Sequence, residues 1–273
     1  MTFLKKLFEL YINASIHVAL AVYAFLRITE FYFNLPQNPE LYFFLFFGTI
    51  TGYNFVKYAG VAKLHHRSLT SSLKIIQIFS FCCFVLMCFY AYQLAIDTLL
   101  LSLPFAALTF LYAVPFLSGF AKNLRQISYL KILIVAFVWA GFTVIIPVFD
   151  AEKTITFSAI LLAFQRFLLI VVLVLPFDIR DVKYDAISLQ TIPKKIGIDQ
   201  TKRLGLLLLI ISLILEYLIP FQSKVKMPFM IFFFLTVLFL MRSKINQPKY
   251  YSSFWVELLP IIWWLFLLGF DNI

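Results

Sequence analysis

Apolar runs about as long as a bilayer is thick follow one another along this 273-residue chain. Nine can be marked, near residues 12–33, 40–56, 74–94, 97–117, 130–149, 156–176, 204–221, 227–241 and 254–270. A helix needs about 20 such residues to cross the hydrocarbon core, and a barrel strand about ten. Lipid offers no partner to a backbone N–H or C=O, so runs of this length must satisfy themselves as α-helices. The expected fold is all-α: a polytopic membrane bundle, with residues 1–273 forming a single transmembrane domain. Charged residues make up 13% of the chain, against about 25% in soluble proteins. Pro36, Pro39, Pro115 and Pro220 fall at run ends, while Pro104 and Pro260 fall inside runs and predict kinks there.

A net charge of +10 would suit nucleic acid, but its placement argues against that partner. Lys and Arg concentrate at the N-terminus (Lys5, Lys6) and in every second connection, down to Arg242, Lys244 and Lys249. The other side carries Lys153, Lys224 and Lys226. By the positive-inside rule the N-terminus is cytoplasmic and the basic excess is a topology signal that also meets anionic membrane lipid. Residues 1–11 are expected along the interface. The run from Ile12 is too long for a cleaved signal peptide and reads as the first span. An inner membrane is the expected location. Cys82, Cys83 and Cys88 share one run and read as packing residues. His65 and His66 are adjacent, so on a helix they point about 100° apart and chelate poorly.

One stretch stands out: Asp178-Ile179-Arg180-Asp181-Val182-Lys183-Tyr184-Asp185. On a helix, carboxylates at i, i+3 and i+7 fall within a sector of roughly 60°. With no basic residue on that face they repel one another. A hard cation such as Mg²⁺ relieves that, with a phosphate completing its shell. Thr191-Ile192-Pro193 and Ile196-Gly197 follow. Together these residues resemble the second aspartate-rich motif of the UbiA superfamily of intramembrane prenyltransferases. The resemblance implies nine helices around a central cavity open to the cytoplasmic face, where connections 57–73 and 177–203 meet. It implies that Asp178, Asp181 and Asp185 are the metal and catalytic residues, holding Mg²⁺ against an isoprenoid diphosphate donor while an acceptor, aromatic or otherwise, takes the prenyl group. A solvated charged helix beside the membrane is the plainer alternative.

The family's first motif is altered here. Asn54 matches, but Phe55, Tyr58 and Ala62 stand where that motif places carboxylates. Lys57, at i+3 from Asn54, could meet a phosphate as a cation, with Lys63 and Arg67 adding to it. Tyr112, Pro115 and Ser118 resemble a third family segment, which brings Lys122, Arg125 and Lys131 into consideration for the diphosphate. The expected substrate residues are therefore Asn54, Lys57, Lys63, Arg67 and Arg125. Arg27 and Arg166 lie within runs and are expected to pair structurally, Arg166 with Glu216 or Gln165 as neighbours. Two other classes remain open. One is a non-catalytic relative that binds a prenyl phosphate or lipid. The other is a transporter using Arg27, Arg166, Glu216 and Glu257.

Overall fold

The computed structural model describes residues 3–64, 71–113, 130–183, 191–221 and 223–271. All regular structure among them is helical. The helices are α1 (Phe3–Asn13), α2 (Ile16–Phe33), α3 (Pro39–Leu64), α4 (Ser71–Gln93), α5 (Ile96–Ala113), α6 (Leu130–Ala140), α7 (Ile146–Glu152), α8 (Phe157–Asp181), α9 (Ile192–Ile196), α10 (Ile198–Leu218), α11 (Ser223–Arg242) and α12 (Leu259–Asp271). A π turn at Gly141–Ile145 joins α6 to α7, and a second at Tyr251–Val256 precedes α12. Among the described residues, seven segments are long and apolar enough to cross a membrane. The other two expected runs, 40–56 and 204–221, are helical as α3 and α10.

The first run is not one helix. It breaks at Ala14 and Ser15, where Ser15 takes a left-handed backbone (φ 62°) between α1 and α2. The α1 helix therefore stands apart, with Leu4 and Leu7 exposed. Lys249 Nζ lies 3.1 Å from Glu9 Oε1 and ties α1 to the connection before α12.

Prolines shape the other irregular segments. Pro147 has no N–H, which releases the carbonyl four residues back, at Thr143. Thr29 of α2 takes it through Oγ1 at 2.6 Å. The helix widens at this point into the π turn Gly141–Ile145. Gly141 is required there, since a Cβ would come within 2.2 Å of the Phe105 ring. Pro260 lies inside the last apolar segment, Tyr251–Phe270, as expected, and there it is the second residue of α12. The chain before it is π-wound, with Glu257 N bonded to Ser252 O.

The main core joins α2, α6, α8, α10, α11 and α12 around Trp263, which is fully buried. The Trp263 ring stacks on Phe232 at 4.6 Å and meets Phe229 edge-on. Gly205 lets α10 approach closely, because a Cβ would reach Leu240 at 2.6 Å and Leu175 at 2.9 Å. At the other extreme, α4 packs chiefly on α3 and leaves Ile78, Phe81 and Phe89 exposed. Cys83 is buried as expected of a packing residue, but Cys82 and Cys88 are exposed on α4, so packing does not describe them.

Arg166 is fully buried. Its Nη1 donates to Phe25 O at 2.8 Å, and its guanidinium lies 4.3 Å from the Phe25 ring. Gln165 instead donates to Glu216 at 2.9 Å, and Tyr32 donates to Glu216 at 2.8 Å. Arg166 thus pairs inside the bundle, with Glu216 in electrostatic range rather than hydrogen-bonded to it among the described contacts. Arg27 pairs with Glu30 at 3.0 Å.

Candidate functional site

The last turns of α8 form one side of the site. Helix α8 runs through Pro176, whose carbonyl accepts from Gln247 Nε2 at 3.3 Å, and ends with Asp178, Arg180 and Asp181. Asp178 is buried, and Lys131 of α6 donates to its Oδ1 at 2.8 Å. Arg180 grips Asp181 with two bonds, 2.7 Å from Nε and 3.1 Å from Nη2. This is the bidentate geometry that suits a guanidinium to a carboxylate or a phosphate. The expected i, i+3 placement of Asp178 and Asp181 on one helix is present. Asp185, Arg67 and Arg125 lie outside the described residues, as does the side chain of Lys63.

The Thr191-Ile192-Pro193 stretch forms a short connector. Pro193 opens α9, and Gly197 ends it at φ 84° and ψ 162°, a backbone region open essentially to glycine. The next residue begins α10.

The α3 side is built differently. Asn54 is buried and its groups are occupied: Nδ2 donates to Ala14 O at 3.0 Å and to Ser80 Oγ at 2.7 Å. Its Oδ1 accepts from Ser15 Oγ at 2.8 Å. Asn54 therefore clamps the break between α1 and α2 against α4, and presents Lys57 one turn further on. Lys57 Nζ donates to Ser15 Oγ at 2.8 Å. Ser15 links the two residues, and its left-handed backbone is part of how it reaches both. Tyr53 accepts from Trp139 Nε1 at 3.0 Å.

A residue from the last span lies in electrostatic range of both sides. Glu257 follows the π turn Tyr251–Val256, and its carboxylate interacts electrostatically with both Lys57 of α3 and Arg180 of α8. Tyr11 and Tyr53 are also in range. His17 holds this corner. Its Nε2 faces Phe254 O at 2.9 Å. A carbonyl only accepts, so Nε2 carries the proton and Nδ1 accepts from Tyr11 OH at 2.6 Å. Ser15, His17 and Glu257 were missed as site residues. Glu257 was visible only as a carboxylate in an apolar run. Ser15 sat in a small polar break, Asn13-Ala14-Ser15, that had been absorbed into a continuous span.

The described charges here are three cations, Lys57, Lys131 and Arg180, and three carboxylates, Asp178, Asp181 and Glu257. Among the described residues no group of three His, Cys, Asp or Glu side chains is placed to hold a metal. Two carboxylates one turn apart on α8 fit a single Mg²⁺, which uses one or two carboxylates and completes its shell with phosphate and water. The α3 side, with Phe55 and Tyr58 beside Lys57, adds no carboxylate. At the other end of the bundle a cleft of about 330 Å³ is lined by Glu30, Asn38, Glu40 and Asp150.

No family model fits the chain, and no curated protein matches it in sequence. Solved structures do match in shape. A UbiA homologue from Archaeoglobus fulgidus bound to GPP and Mg²⁺ superposes with a TM-score of 0.63 at 12% identity, covering 97% of this chain and 100% of that one. The same homologue bound to DMAPP and Mg²⁺ gives 0.62 at 12% identity, covering 96% and 99%. A digeranylgeranylglyceryl phosphate synthase gives 0.61 at 16% identity, covering 98% and 100%. Over nearly its whole length, the chain has the fold of these UbiA homologues and of the synthase.

Proposed function

We propose that this protein is an intramembrane prenyltransferase that moves a polyprenyl group from an isoprenoid diphosphate to an acceptor. The observation that carries the reading is the pair Asp178 and Asp181 one turn apart at the end of α8, with Arg180 between them, within a fold whose solved neighbours bind GPP and DMAPP. Nine spans, a cytoplasmic N-terminus, an inner-membrane location and a cavity open to the cytoplasm complete it. Asp178, Asp181 and Asp185 would hold Mg²⁺. When bound, that ion supplies positive charge to the departing diphosphate.

The chain's own residues then act as follows. Arg180 and Lys57 meet phosphate oxygens, where negative charge grows as the allylic C–O bond breaks. Lys63, Arg67 and Arg125 add basic charge from the connections. Asn54 keeps Lys57 in register, and the prenyl tail lies between apolar helices. The acceptor attacks the allylic carbon and loses a proton, and diphosphate leaves with the bonding electron pair.

The test is binding of a non-hydrolysable geranylgeranyl diphosphate analogue to the purified protein, in Mg²⁺ and in EDTA, beside D181N. Mg²⁺-dependent binding that falls about tenfold in D181N supports the reading, a loss of about 1.4 kcal/mol. Binding indifferent to both Mg²⁺ and the substitution overturns the metal role. A second reading, a prenyl-phosphate-binding protein without turnover, is favoured by the α3 side's lack of carboxylates. It is distinguished by saturable binding with no diphosphate released.

A further inference from the structure

The two α8 carboxylates are paired in different ways. Arg180 and Asp181 are chain neighbours, and both are partly exposed, so water can stand in for either. Asp178 is enclosed, its side chain 1% exposed, and its partner Lys131 comes from another helix at 2.8 Å. Neither member of this second pair is favoured by the helix that carries it. Lys131 is the second residue of α6, at the positive end of that helix's dipole. Asp178 lies in the last turn of α8, at the negative end. The contact between α6 and α8 is what sets the two charges together.

An enclosed carboxylate needs a cation beside it, because its charge is costly to bury alone. Lys131 meets that need, and so would the divalent ion that the α8 turn is proposed to hold. Both together are unfavourable. Mg²⁺ sits about 2.1 Å from a carboxylate oxygen. An ion on Oδ1 would then lie within about 5 Å of the Lys131 nitrogen. Like charges that close, away from water, repel strongly. The Lys131 side chain is 19% exposed and its stem is long and flexible, so it has a way to leave.

We infer that Lys131 is a resident counter-ion of Asp178 that swings away before Asp178 takes a metal, so that metal affinity stays low until a donor's phosphates give the ammonium another partner. The inference rests on the prenyl diphosphate reading and adds a coupling to it: metal and donor bind together rather than in turn.

The experiment uses the full chain in lipid nanodiscs. Mn²⁺ replaces Mg²⁺, so that electron paramagnetic resonance counts bound metal, and geranylgeranyl thiolodiphosphate is the donor probe. In the native chain, Mn²⁺ affinity is expected to rise about thirtyfold when the probe is present. K131Q keeps a hydrogen-bond donor and loses the charge. Its Mn²⁺ affinity without the probe is expected to rise about tenfold, with a smaller gain from adding the probe. K131R keeps the charge and is expected to stay within about threefold of native. A lysine that only braced the fold would give the opposite sign, weaker Mn²⁺ binding in K131Q. Probe-free Mn²⁺ affinity in K131Q that is unchanged or weaker overturns the inference and leaves the donor reading intact. Equal Mn²⁺ affinity of the native chain with and without bound probe overturns it as well, without recourse to a variant. No binding of the probe to the native protein in Mn²⁺ overturns both inference and reading. Thermal unfolding of each variant separates loss of the fold from a change at the site.

Discussion

Two charged regions of this bundle lie at different depths and are built on opposite principles. Around Arg166, Glu216, Gln165 and Tyr32, the polar groups are buried and held by direct bonds to partners on α2, α8 and α10. Around Lys57, Glu257 and Arg180, charge is gathered from α3, α8 and the last span, and the direct bonds of Lys57 and Arg180 go to Ser15 and Asp181 rather than to one another. Burial without partners costs several kcal/mol, so a region far from water must be closed on itself. A region that must exchange one set of charges for another has to keep some of its capacity unspent. The first region supports the bundle, and the second is where we propose that a charged ligand binds.

The comparison breaks most sharply at Arg166. R166A removes a buried guanidinium and leaves its partners in the core, including Phe25 O and nearby Glu216. A loss of about 3 kcal/mol in stability is expected, seen as a lower thermal unfolding midpoint. K57Q should move stability by under about 0.5 kcal/mol, as substitutions outside the core do. If K57Q destabilises as much as R166A, the contrast between the regions is wrong.

Packing around the first region sharpens it next. G141A would drive a methyl into the Phe105 ring beside the π turn. Overpacking of this kind costs about 1–3 kcal/mol. G141A should lower the unfolding midpoint while leaving donor affinity in the folded fraction unchanged, since Gly141 contacts neither side of the site.

The smallest expected effect lies at the α1 tether. Lys249 lies against Glu9 and holds its carboxyl below the ordinary value of 4.5. A carboxyl with a depressed pKa stabilises the folded form at neutral pH. It loses that contribution as the pH falls below 4.5 through the depressed value. Limited proteolysis after Lys5 or Lys6 should therefore be slightly faster in E9Q than in native protein at pH 7, and the difference should shrink as the pH is lowered below 4.5. The pair is exposed, so a large difference would mean that α1 is held by this contact rather than by Phe8 against Phe254 and Tyr250.

Much of the architecture was legible in the residues. Apolar length located the helices, because the period and extent of hydrophobic runs report directly on lipid as a solvent. The i, i+3 spacing of Asp178 and Asp181 was legible for a similar reason, since neighbours one turn apart on a helix are set by local geometry alone. The break at Ser15 was not, because a left-handed serine between two helices is stabilised by Asn54 and Lys57, about 40 positions away. Asn54 was read as a substrate residue, yet its side chain is already bonded to Ala14, Ser15 and Ser80. Lys131 was considered for the diphosphate, yet it sits on Asp178.

The amino-acid order by itself determined an all-helical membrane chain and the presence of an acidic turn after the sixth apolar run. Both follow from interactions along the chain or between the chain and its solvent. Which charges face one another was decided only by the tertiary structure. Lys57, Arg180 and Glu257 are far apart in sequence, and Coulomb interaction depends on distance in space rather than along the chain. The tertiary fold, which packs the π turn before α12 against α8, set those distances, and with them the character of the site.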